Sequence, residues 1–328
     1  MKLKRLILLF VFLLFASVFV SISAAVAARH GLRGAKFPLG TGRIEHRKME
    51  IDGKQREFYL YFPKNAPASA SPLVIALHGG GGTARNMDRL SRLSLLSDKE
   101  GFLLVFPQGL AKHWADGRTE SGEADIKFIS TMIAKLNEEG LVNQSQVFAT
   151  GISNGGFFSQ YLAKKIPSQI AAVASIAATL PDTYLKLEQT MAVPVLYVLG
   201  TKDPLIPYSG GRIGGKILRG NRGNVVSAEE AIRFWRRNNG IDSAYGRSTV
   251  IDDGSTDGMK ITSNEFTSGD PRRDVTVYTI DGGGHTWPQG WQYLPAFIVG
   301  DTSKRLNCNE VIWQFFKTHA KSENITAK

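Results

Sequence analysis

Six short apolar runs, at residues 73–77, 102–106, 147–150, 171–176, 195–199 and 275–280, recur along the chain with amphipathic stretches between most of them. Such runs are too short for buried helices, and continuous apolarity implies burial on both faces. They read as strands of a mostly parallel sheet with helices packed on either side, so an α/β fold is expected. A hairpin opens it: Phe58, Leu60 and Phe62 alternate with Tyr59 and Tyr61, and Asp52-Gly53 supplies the turn joining 45–51 to 55–62. Helices are marked by Ile126, Ile129, Ile133 and Leu136 on one face with Gly140 placed to end it, and by the capping box Ser227-Ala228-Glu229-Glu230 leading to Trp235. A last helix carries Val311, Ile312, Phe315 and Phe316. With no internal repeat and no Pro/Ser-rich linker, residues 42–320 read as one domain with a polar tail at 321–328, and the glycine-rich, basic stretch 210–223 as a flap.

The N-terminus has a different character. Met1-Lys2-Leu3-Lys4-Arg5 is basic, no charge occurs from Leu6 to Ala28, and Ala25-Val26-Ala27 offers a small-residue cleavage point. Residues 1–27 therefore read as a secretory signal peptide and 28–41 as a flexible arm; an uncleaved membrane anchor is the alternative, since the apolar stretch is long enough to span a bilayer. Either way the folded part is expected to be secreted, periplasmic or in the cell envelope. The single cysteine, Cys308, excludes an intrachain disulfide, which leaves stability to the core. Loss of Lys2, Lys4 and Arg5 with the leader takes the formal charge from +11 to about +8, still basic enough to favour anionic surroundings. Pairs such as Arg236-Arg237 and Arg272-Arg273 are short and scattered, so no nucleic acid partner is expected.

The chemistry is concentrated in four segments. At 149–158, "ATGISNGGFF" places Gly151-Ile152-Ser153-Asn154-Gly155 between an apolar strand and an amphipathic helix. This is the G-x-S-x-G arrangement, in which a nucleophilic serine on a tight turn needs side-chain-free neighbours two positions away. A serine nucleophile needs a base, and His285, in a Gly-rich loop directly after the run 275–280, is the expected one. The acid that orients it could be Asp116, Asp125 or Asp203; Asp203 follows the run 195–199 and gives the chain order Ser, Asp, His expected of an α/β-hydrolase. The loop His78-Gly79-Gly80-Gly81-Gly82 supplies unobstructed amides, so those of Gly80 and Asn154 are the expected oxyanion donors. His78 and Trp287, which flank the candidate loop and base, are expected to contact substrate.

Rival chemistries meet specific obstacles. Gly79, Gly81 and Ala84 fit a dinucleotide fingerprint, but the acid it requires at the end of the second strand is missing, where Phe106-Pro107-Gln108 stands instead. Gly210 to Lys216 fits a phosphate-loop pattern, but Ile217 replaces its hydroxyl residue. No Cys, His or carboxylate cluster has metal-ligand spacing, so neither metal nor cofactor is expected. A non-catalytic binding protein on the same fold is a further alternative.

Taken together, "LHGGGG", "GISNGG", "GTKDPLIPY" and "GGGHTWP", with "HWADGR" at 113–118 and "IWQFF" at 312–316, resemble the polyhydroxybutyrate depolymerase and feruloyl esterase family of α/β-hydrolases over about residues 45–318. The resemblance implies that Ser153, Asp203 and His285 are nucleophile, acid and base, and that the glycines after His78 form the oxyanion loop. Secreted depolymerases of solid polyester usually add a binding domain for which this chain has no segment to spare. The expected substrate is therefore a soluble ester of short hydroxyalkanoate or hydroxycinnamate type, such as a soluble oligomer or a cell-wall or plant-derived ester. A membrane partner is expected only if the leader stays attached.

Overall fold

Asp52 and Gly53 both take positive φ, 50° and 71°, the backbone of a tight two-residue hairpin turn. They fold β1 (Arg43–Ile51) onto β2 (Lys54–Phe62) in antiparallel register. The computed structural model describes residues 38–67, 69–118, 122–215, 217–218, 220–241, 246–251 and 257–321; the leader, most of the arm and the tail beyond Lys321 lie outside the described residues. The chain continues through β3 (Ser71–Leu77), β4 (Leu103–Pro107), β5 (Val142–Ile152), β6 (Ala172–Ile176), β7 (Leu180–Pro181), β8 (Val195–Gly200), β9 (Gly211–Arg212), β10 (Asn224–Val226), β11 (Arg247–Ile251), β12 (Lys260–Phe266) and β13 (Val275–Asp281). Leu39–Lys328 form one compact unit. Its boundary falls slightly before the expected residue 42, because the amides of Gly40 and Thr41 are tied to Ser94 and Asp98.

Ten strands form the main sheet in the order β1-β2-β4-β3-β5-β6-β8-β13-β12-β11. The run from β4 to β13 is parallel throughout, and an antiparallel hairpin closes it at each edge. The β11–β12 edge is absent from the sequence reading. Its strands are mostly polar, with Lys260, Thr262, Ser263 and Asn264 around Ile261, so they lack the apolar signal by which central strands are recognised.

Successive residues of the central strands feed opposite cores, as the period of two requires. Leu73, Ile75 and Leu77 face the helices Glu123–Glu138, Asn154–Lys165 and Ala228–Asn238, whose Ile129, Phe158 and Trp235 share that core. Val74 and Ala76 face the helices Ala84–Ser91, Leu93–Glu100 and Cys308–Thr318 with Met87, Leu96 and Phe316. Ser227 caps Ala228–Asn238 as its capping box suggests, accepting from the Glu230 amide at 3.2 Å. No helix among the described residues is long and apolar enough to cross a membrane.

Two features of this sheet place the site. The chain passes from β3 to β4 on one side and returns to β5 on the other, so a crevice opens between the carboxyl ends of β3 and β5, the usual ligand position in open α/β sheets. Beside it, Arg56 on β2 and Asp125 on Glu123–Glu138 form an ion pair of 2.6 Å with both side chains almost fully buried. The Arg56 guanidinium stacks on Phe128, and Asp125 also accepts from the Ala115 amide. Removing one partner strands the other charge in the core, so Arg56→Met is expected to cost about 3–5 kcal/mol in urea unfolding. Arg56→Met/Asp125→Asn should be less destabilised than the sum of the single changes; simple additivity would show the pair to be uncoupled.

Candidate active site

Ser153 sits where β5 turns into Asn154–Lys165, with φ 58° and ψ −122°, a backbone conformation that costs a residue with a side chain about 1–3 kcal/mol. The surroundings hold it there. Its amide donates to the Ile176 carbonyl at 2.9 Å. A Cβ at Gly155 would lie 2.3 Å from the Leu77 oxygen, and one at Gly151 would lie 2.5 Å from the Gly155 carbonyl carbon. Both positions therefore require glycine for close packing, as the sequence pattern anticipates.

The loop leaving β3 faces this turn. Gly81 donates to the Lys112 carbonyl and Gly82 to that of Gly79, whereas among the described residues neither the Gly80 nor the Asn154 amide has a protein acceptor. A Cβ at Gly80 would stand 3.7 Å from that of Asn154, so the two residues are neighbours. His78, expected as a substrate contact, borders the same cleft as Ser153, but its ring nitrogens are engaged elsewhere. Its Nδ1 donates to the Gly79 carbonyl at 2.9 Å and its Nε2 accepts from the Gly109 amide at 3.0 Å, which commits both ring nitrogens to the loop. Burial lowers the His78 pKa, in keeping with the neutral ring these two bonds need.

Asn154 is similarly committed through its side chain. Its Oδ1 accepts from the Trp114 amide, while its Nδ2 donates to the Trp114 carbonyl and to Asp116. Trp114 in turn donates from its indole to the His78 carbonyl and stacks on Phe158. Asp116 also pairs with Arg118 at 2.8 Å. Asp116 and Asp125 are thus held by Arg118 and Arg56, and the acid beside His285 is Asp203.

His285 Nδ1 lies 2.7 Å from Asp203 Oδ2, with both side chains buried. The other carboxylate oxygen accepts from the amides of Leu205 and Ile206, each at 2.8 Å, which fixes the carboxylate in place. The loop carrying His285 is fixed as well: its amide donates to Val299, its carbonyl accepts from the Tyr293 hydroxyl, and Gly284 lies too close to Val299 for a side chain. Burial, with the Asp203 charge adding to it, raises the Tyr293 pKa and keeps that hydroxyl a donor.

Ser153 and His285 border a cleft of about 820 Å³, together with the glycine loop. Trp287 does not form its wall. That ring is fully buried in the core, and its indole N–H donates to Asn309 at 2.9 Å. The aromatic walls are Trp291 and Tyr293, farther along the same loop, with Phe157 from the helix after Ser153, and Leu205, Ile206, Ile213, Leu218 and Leu294 are among the apolar residues beside them. Only the run of aromatic residues after the base hinted at them. The flap-like segment lies partly in a small sheet, β7-β10-β9, and Arg118 Nη1 donates to the Arg222 carbonyl on it at 2.8 Å. Among the described residues no group of three or more His, Cys, Asp or Glu side chains is arranged to hold a metal ion.

Comparison with known proteins agrees with this architecture. Residues 56–182 match the family model described as Esterase PHB depolymerase. The chain is 30% identical over 310 residues, 89% of its length and 88% of the relative's, to NocK of Nocardia uniformis subsp. tsuyamanensis, which is named as an esterase candidate. It is 24% identical to feruloyl esterase B of Piromyces equi over 74% of this chain and 46% of that protein. A poly(3-hydroxyalkanoate) depolymerase C of Paucimonas lemoignei is 30% identical over 37% of this chain and 31% of its own. The solved acetyl xylan esterase of Aspergillus awamori superposes with a TM-score of 0.58 at 15% identity, covering 84% of this chain and all of that one, which shows a shared α/β-hydrolase fold. The chain belongs to the PHB depolymerase family of carboxylic esterases.

Proposed function

We propose that this cleft hydrolyses carboxylic esters through an acyl-enzyme on Ser153. One observation carries the reading: a serine held at φ 58° on a strand-to-helix turn shares a cleft with a histidine whose Nδ1 is bonded to a buried aspartate at 2.7 Å. The Asp203 bond holds the proton on Nδ1, so Nε2 is the nitrogen left to act as base. Ser153 Oγ attacks the ester carbonyl carbon as His285 takes its proton, and the charge formed on the carbonyl oxygen meets the amides of Gly80 and Asn154. The imidazolium returns the proton to the departing alcohol; water, activated in the same way, then releases the acid and restores Ser153.

The substrate class we infer is a soluble ester with a short hydroxyalkanoate or a hydroxycinnamate acyl group. A cleft of about 820 Å³ is in the size range of small-molecule sites, and Phe157, Trp291 and Tyr293 offer flat apolar surface. Relatives named as feruloyl esterases and as a polyhydroxyalkanoate depolymerase support the same range. The basic, then apolar, N-terminus supports action outside the cytoplasm.

Ser153→Ala is expected to keep the fold and lower turnover of 4-nitrophenyl butyrate on the order of 10³-fold or more, and a fluorophosphonate should label Ser153 in the parent chain alone. Near-normal turnover in the purified variant would remove Ser153 from the reaction. Asp203→Asn should reduce kcat by about 10⁴-fold by disturbing the imidazole. Asp125→Asn should instead lower the melting temperature with kcat nearly kept, and the reverse pattern would displace Asp203 as the orienting acid. Trp291→Ala should raise KM for methyl ferulate more than for 4-nitrophenyl acetate; equal changes for both would place Trp291 outside the acyl pocket.

A further inference from the structure

The cleft contains no acidic side chain among its described lining residues, and its two arginines differ. Arg118 is nearly buried and matched by Asp116 at 2.8 Å. Arg222 is exposed on the flap, and no carboxylate pairs with it among the described residues. The backbone that carries it is nonetheless held, because its carbonyl accepts from Arg118 at 2.8 Å, the Asn221 side chain accepts from the Gly223 amide, and the Gly223 carbonyl accepts from Ile213. A second exposed cation, Arg89, lies 5.9 Å from the ring of Trp291, a wall of the same cleft, and it too has no carboxylate partner among the described residues. Asp203, the acid nearest the reacting groups, is buried behind His285 with both oxygens occupied.

With Arg118 matched by Asp116 and Asp203 buried behind His285, Arg222 is the exposed charge on the described lining, and low-dielectric walls such as Ile213, Leu218 and Leu294 concentrate its field. A neutral ester gains nothing from that field. An ester carrying a carboxylate at its far end would place that charge near the flap while its carbonyl sits at Ser153. We propose that Arg222 selects esters that bear a free carboxylate distal to the scissile bond, as a short hydroxyacid oligomer or a dicarboxylic acid monoester does. This inference rests on the esterase reading of the same cleft and adds the charge of the substrate to it. Arg222 binds and does not enter the chemical step, so its effect is expected in KM.

The test uses a matched pair, the mono-4-nitrophenyl ester of adipic acid and its methyl-capped neutral twin, whose leaving groups are identical. The parent chain is expected to favour the acid in kcat/KM by about 2–5-fold at low salt, the size of one exposed charge pair, and to lose most of that preference at about 0.5 M sodium chloride. Arg222→Gln should remove the preference through KM while leaving the neutral twin within about twofold, and Arg222→Lys should restore part of it. Equal turnover of both esters by the parent chain, or a preference that persists in Arg222→Gln, overturns the selection by charge and leaves the esterase reading standing. Turnover of neither ester overturns both.

Discussion

The site depends on a contact with no room for a methyl group: the backbone of Gly155 lies against the carbonyls of Leu77 and His78. It presses the first turn of the helix after Ser153 onto the end of β3. Because rigid backbone is touching rigid backbone, the separation of the Ser153 turn from the glycine loop is set without reliance on any flexible side chain. Everything polar in the site is arranged around that fixed distance. The strain at Ser153 persists because β5, β6 and the helix between them leave the residue no alternative.

A layer of neutral polar contacts then orients what the backbone has positioned. His78, Trp114 and Asn154 satisfy one another's donors and acceptors across three segments remote in sequence, and the aromatic faces of Trp114 and Phe158 exclude water around them. Charges are kept to pairs at the edge of this layer, Arg56 with Asp125 and Arg118 with Asp116. The arrangement costs little in desolvation at the point where catalytic charge would develop, since the groups nearest the glycine loop carry none.

The central strands, the terminal helices and the Ser-Gly turn were legible because each is enforced by local sequence: apolar continuity, capping residues, and glycine where backbones meet. The Asp203–His285 pairing was legible as an order along the chain, and it became a contact only through the adjacency of β8 and β13. Trp287 lies away from the cleft for the same reason. Proximity in sequence to a catalytic candidate does not give side-chain direction: Trp287 is packed in the core with its indole bonded to Asn309, while Trp291 and Tyr293 line the cleft. The polar hairpin β11–β12 left no pattern, as an edge hairpin with little to bury need not.

Asn154 has two attachments with different owners. It neighbours Gly80 on the glycine loop, whereas its side chain is bonded to the loop that carries Asp116, and Asp116 holds Arg118, which holds the flap by the carbonyl of Arg222. The flap that borders the cleft is thus wired by three successive polar links to the turn that carries Ser153. Because the last link is made by the Arg222 carbonyl and not by its side chain, side chains on the flap are free to diverge with the link intact, whereas an insertion or deletion that shifts the flap backbone would be felt as far as Ser153.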